Sequence, residues 1–144
     1  MKFFHLRFSG NAFDGFLQNI LEDKILSIPD TSGVFVLGTA NDTHLIYPWG
    51  HSPIFFIGSA DNLYKQMQHY REAITAAIEN HEKYWCYPRY QYGAAFGSSV
   101  AWRSPLNGKS EKHLEADLIY QFYDRFGAIP VANGIWPTAI KPCK

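Results

Sequence analysis

Residues 55–69 read FFIGSADNLYKQMQH: a short apolar run, a glycine, a small polar loop and the opening of a helix. The run before Gly58, bounded by turn-forming residues, predicts a buried strand over Ile54–Ile57. Asp61 is placed to cap a helix that begins near Asn62. From there Leu63, Met67, Tyr70, Ile74, Ala77 and Ile78 recur at helical spacing and predict the longest helix, over 62–80. Upstream, SGVFVLG predicts a second buried strand over residues 33–38, rich in β-branched and aromatic side chains.

The flanks are read outward from this unit. Residues 2–8 predict a first strand. Phe13, Phe16, Leu17, Ile20 and Leu21 fit an amphipathic helix over 12–26, which residues 28–33 break. Residues 39–53, with Asn41, Asp42, Pro48, Gly50 and Pro53, predict a long loop or a hairpin excursion. Tyr84–Arg103 is rich in aromatics and predicts one long strand, or two short ones with a turn near Gly97-Ser98. Ser110 caps a helix running to about Phe126, with Leu114, Leu118, Phe122 and Phe126 as its stripe and Gly127 as its stop. The proline-bearing tail is expected to be irregular. The mixed order predicts a single α+β domain over 1–144, a small antiparallel central sheet flanked by helices.

Composition narrows the classes. The chain has 144 residues, 47% of them hydrophobic and 17% aromatic, which suits a packed core and argues against disorder. No apolar run approaches the roughly 20 residues that span a bilayer, so no membrane partner is expected. His5, Arg7 and Asn11 interrupt the N-terminal apolar stretch, so it does not read as a signal peptide and a cytoplasmic location is expected. Cys86 and Cys143 form neither a metal-ligand spacing nor a disulfide framework. His69, His81 and His113 share no metal-binding spacing. Thirteen basic residues balance thirteen acidic ones, which opposes strong non-specific nucleic-acid binding. Between residues 83 and 112, however, five basic residues (Lys83, Arg89, Arg103, Lys109, Lys112) face one acid, Glu111. They predict a local basic patch, and the interleaved aromatics suit base stacking as well as ordinary strand packing.

Taken in order, Gly33-Val34-Phe35, Phe56-Ile57-Gly58, the phrase Gly58–Leu63, Glu115 in LEADLI, and Asn133 after Pro130 resemble the GIY-YIG nuclease family over about residues 31–135. Residues 1–30 would then be an N-terminal extension. The resemblance implies a sheet whose first two strands carry the naming tripeptides, here with Phe35 and Phe56 in place of tyrosines. Counting on from Asn62-Leu63 puts Gln66 at the catalytic arginine position; a slip of one residue would put Lys65 there and His69 at a histidine that many members carry. Glu115 falls at the metal-binding glutamate and Asn133 at the terminal asparagine. Residues 36–55, between the tripeptides, are longer than in a typical member.

The family's metal-assisted hydrolysis uses a tyrosine hydroxyl as base, an arginine on the phosphate and a glutamate on magnesium. Phe35 and Phe56 cannot move a proton, a loss of about 10²–10⁴ in rate. Gln66 lacks the arginine's charge and bidentate fork, a loss of roughly 10³–10⁵. Glu115 alone would hold magnesium weakly. The expectation is a nuclease relative with cleavage lost or strongly reduced, which retains binding to DNA, RNA or a protein. One alternative is an active magnesium-dependent endonuclease with relocated groups: Lys65 or Arg71 for the charge, and Tyr70, Tyr47 or Tyr64 for the hydroxyl. Another is a protein-interaction or regulatory subunit with no nucleic-acid role. The plainer roles of the same residues are core aromatics for Phe35 and Phe56, and solvated helix positions for Gln66 and Glu115.

Overall fold

The computed structural model describes residues 13–22, 24–105 and 108–134. A four-stranded antiparallel sheet runs in the order β1 (Gly15–Leu17), β6 (Ser99–Arg103), β2 (Gly33–Gly38), β5 (Ile54–Ala60). β2 is buried along its whole length because it lies between two strands and under two helical layers. That is why GVFVLG is apolar on both of its faces. Phe35 and Leu37 point to one side, and Val34 and Val36 to the other, in two separate clusters. The class is α+β, as the sequence predicts.

α1 (Leu63–Glu79) covers the first side with Leu63, Met67, Tyr70, Ala73, Ile74 and Ala77. Its cap is Asn62, one residue later than predicted, and the Asn62 side chain accepts from Lys65 N at 3.0 Å. Ile78, predicted on the apolar face, is exposed. α3 (Glu111–Phe126) covers the other side with Leu114, Leu118, Ile119, Phe122 and Phe126. Ser110 accepts from His113 N, and Gly127 closes the helix in the left-handed region at φ 80°, both at the predicted positions.

The 39–53 excursion is a hairpin of β3 (Leu45–Tyr47) and β4 (Gly50–Ser52). Trp49 N donates to Phe126 O at 3.0 Å, so its turn rests on the end of α3. β5 continues three residues beyond the predicted strand. A bulge between the Leu37–Phe56 and Gly38–Ile54 pairs resets its alternation. Phe55 and Phe56 therefore both reach the α1 side, while Ile54 and Ile57 face α3.

Two predicted elements are corrected. Residues 15–17 form β1 rather than part of a 12–26 helix. Asp14, Gly15 and Asn19 are poor helix formers, and Asp14 N and Ile20 N instead donate to Trp102 O and Ser98 O at 2.8 Å. A 3₁₀ turn at Ile25–Ser27 follows. Residues 84–103 hold α2 (Pro88–Phe96) before β6, not a strand pair. Pro88 sits in the first turn, where its missing N–H costs nothing. Gly93 lets α2 approach Tyr70 and Ile74 of α1. The predicted strand over residues 2–8 lies outside the described residues. Among those residues, no helix is long and apolar enough to cross a membrane.

Candidate functional site

Phe35 lies directly opposite Gly58 across the β2–β5 ladder, and Val34 lies opposite Ser59. Strand alternation therefore sends Phe35 and Phe56 to the α1 side and Ser59 to the α3 side. The two phenyl rings meet with centroids 5.9 Å apart. A Cβ on Gly58 would lie 2.7 Å from Cζ of Phe35 and 2.7 Å from Cε2 of Phe56. Glycine is thus the residue that lets the rings close over the strand. Phe35 is 4% exposed and packs in one cluster with Leu63 and Met67, so it belongs to the core rather than to an open surface. Phe56 is half-buried.

Arg89 on α2 brings a positive charge to this pair. Its guanidinium carbon lies 5.4 Å from the Phe56 ring centroid, 5.5 Å from that of Tyr87 and 4.7 Å from that of Tyr90. Cation–π attraction to three rings holds it there. Sequence reasoning offered Arg89 only as a patch residue. The signal it lacked was Pro88, which turns this segment into a helix lying against α1.

Glu115 reaches the other side of the same strand end, at Ser59. The Ser59 hydroxyl donates to Oε1 of Glu115, and Nζ of Lys112 lies 3.9 Å from that oxygen. Gln66 lines a cleft of about 220 Å³ with Ser59, Ala60, Asp61, Glu111 and Lys112. Of the four family positions, Phe35 and Phe56 are in ring contact, Glu115 is bound to Ser59, and Gln66 lines the cleft beside Ser59. Asn133 holds the outer edge of the same strand. Its Oδ1 accepts from Ile57 N at 3.0 Å and its Nδ2 donates to Ile57 O at 2.8 Å, as a neighbouring strand would.

Of the proposed substitutes, Tyr70 and Tyr64 pack in the same cluster as Phe35 and Phe56, and the others lie elsewhere. Tyr70 is fully buried, and its hydroxyl donates to the Arg89 carbonyl at 3.2 Å. Burial raises its pKa well above the ordinary phenol value, so it is no base near neutral pH. Tyr47 donates to Ile54 O and accepts from Val131 N within the α3-side core. Arg71 and Tyr64 line a separate groove with Lys24, Ile25 and Leu26. Lys65 is exposed on the first turn of α1, and the His69 ring stands edge-on to Tyr90 with centroids 6.2 Å apart.

The five basic residues do not form one patch. Lys83 and Arg89 lie on the α2 side, and Arg103 lies at the end of β6 opposite Val34. Lys109 pairs with Asp117 at 3.2 Å, and Lys112 leans on Glu115. Among the described residues, no group of three or more His, Cys, Asp or Glu side chains is gathered to hold a metal ion. Glu115 has a serine and a lysine as neighbours, so the donors around it do not make a magnesium cage. Cys86 is a free, exposed thiol.

Fold and site together define an α+β protein built on an antiparallel sheet whose edge strand carries two chemically different flanks. No family model, curated protein or solved structure matches the chain.

Proposed function

We propose that this chain is a relative of the GIY-YIG nucleases in which phosphodiester cleavage is lost and a modest nucleic-acid-binding face remains. The observation that carries the reading is the register of Phe35 opposite Gly58, with Phe56 against both. The two tripeptides lie on neighbouring antiparallel strands, and the positions at which the resemblance implies hydroxyls hold bare phenyl rings. The adjacency of β5, β2 and β6, with three flanking helices, agrees with the implied architecture. Glu115 and Asn133, the other two implied positions, both contact this same strand, at Ser59 and Ile57. Without a hydroxyl to take the water's proton, and with neutral Gln66 on α1, the rate penalties of about 10²–10⁴ and 10³–10⁵ apply even if they do not multiply.

For binding, Lys109 and Lys112 are partly neutralised by carboxylates, and the contributors are Lys83 and Arg89 on the α2 side. On single-stranded DNA two phosphate contacts correspond to a slope of about −1.4 in log affinity against log salt. Arg89→Ala should lower affinity for single-stranded DNA and flatten that slope by about 0.7. The test of lost catalysis is incubation of supercoiled plasmid and single-stranded DNA with magnesium or manganese. No cutting is expected from the wild type.

The second reading is an active endonuclease whose charge comes from Arg89 instead of α1. Its specific support is the seat of that guanidinium on Phe56. Wild-type cutting that depends on both Arg89 and Glu115 would establish it and overturn the first.

A further inference from the structure

We propose that His44 and His51 form a two-imidazole site for a borderline divalent transition-metal ion of the zinc, copper or nickel type, on the outer face of the β3–β4 hairpin. The hairpin register pairs Ile46 with His51. Tyr47 and Ser52 point inward and are buried, so Ile46, 86% exposed, and His51 point outward. His44 lies two residues before Ile46, on the same outward side and diagonal to His51, within reach of two imidazoles.

The rings converge by their Nδ1 atoms, which are 2.7 Å apart, with centroids at 4.8 Å and planes at 52°. In that contact one Nδ1 carries the proton and the other offers its lone pair. A metal ion needs both lone pairs. The donor ring shifts its proton from Nδ1 to Nε2 by exchange with water, so both imidazoles stay neutral, and each Nδ1 then makes a bond of about 2.0–2.1 Å. A tetrahedral ion with such bonds wants the two nitrogens about 3.3 Å apart. Exposed side chains reach that spacing by opening a few tenths of an ångström. Neutral imidazole selects zinc, copper or nickel over magnesium or calcium, which take oxygen donors. Water completes the coordination, since among the described residues no third His, Cys, Asp or Glu joins the pair. This site is separate from the Ser59–Glu115 cleft and does not depend on the nuclease reading.

The test is titration of the full chain with zinc chloride at pH 7.5, followed by nitrogen-detected resonances of the histidine rings. Saturable, concerted shifts of the His44 and His51 rings at one zinc per chain are expected, with no response to magnesium chloride. His44→Ala and His51→Ala should each lower zinc affinity about tenfold or more, since even outer-shell changes cost 10–100-fold. His81→Ala, in the exposed turn after α1, should leave it unchanged. The proposal is overturned if the double variant His44→Ala/His51→Ala binds zinc as tightly as wild type, or if the two rings do not move at saturating zinc.

Discussion

At the scale of single residues, Gly58 and Asn133 do the most for the candidate site. Gly58→Ala pushes a methyl group into two phenyl rings, one of them fixed in the core. Overpacking of this kind costs typically 1–3 kcal/mol. A lower urea midpoint with an unchanged m-value is the expected result; an unaltered midpoint would mean the rings move aside freely. Asn133→Ala strips both partners from the Ile57 N–H and C=O, on a residue with no exposed surface. Leaving buried polar groups unpaired costs about 1–3 kcal/mol. Hydrogen exchange at the Ile57 amide should accelerate in this variant more than exchange at Val36, on the strand's inner neighbour. Asn133→Asp should not rescue it, because a carboxylate oxygen would then face the Ile57 carbonyl oxygen.

Among the elements, α3 has the clearest local encoding. Its cap, stripe and stop are where Ser110, Leu114 to Phe126 and Gly127 predict them. Ser110→Ala should cost about 1 kcal/mol, read as a fall in Tm, because His113 N loses its acceptor. β2 and α1 were nearly as legible: β2 is one continuous apolar run, and α1 departs from its predicted pattern at the cap and at Ile78. β1 and α2 were not. The Phe13–Leu21 pattern satisfies a helix by spacing alone, and only the open edge of β6 turns it into a strand. Tyr84–Arg103 carries a strand former's composition, yet its packing partner is a helix, and Pro88 and Gly93 decide the outcome. The same misreading hid Arg89 at Phe56. The site was legible as far as adjacency in sequence reaches: Ser59–Glu115 and Asn133–Ile57 are contacts 56 and 76 residues apart, which no local pattern announces.

On the scale of the whole molecule, Tyr47 ties three distant parts together: the hairpin, β5 through Ile54 O, and the segment after α3 through Val131 N. Tyr47 is 6% exposed, and its phenol pKa is pushed up to about 12 from 10.0, by burial first, with the Val131 N–H partly opposing. The folded state therefore holds this proton more tightly than the unfolded chain does. The resulting stability is fully present below about pH 10 and is lost as pH rises towards 12. A two-unit shift corresponds to about 2–3 kcal/mol. Tyr70, raised further, deepens the alkaline loss in wild type and variant alike. Tyr47→Phe isolates the effect. Near pH 7.5 the variant should be less stable by about 1 kcal/mol, since Val131 N loses its acceptor. By pH 11.5 that deficit should have vanished or reversed, because only the wild type also releases the Tyr47 proton on unfolding. Urea midpoints of the pair at the two pH values decide it. A stability difference that stays constant across the range would mean the Tyr47 hydroxyl titrates as it does in the unfolded chain, and that the three-way contact is not closed to water.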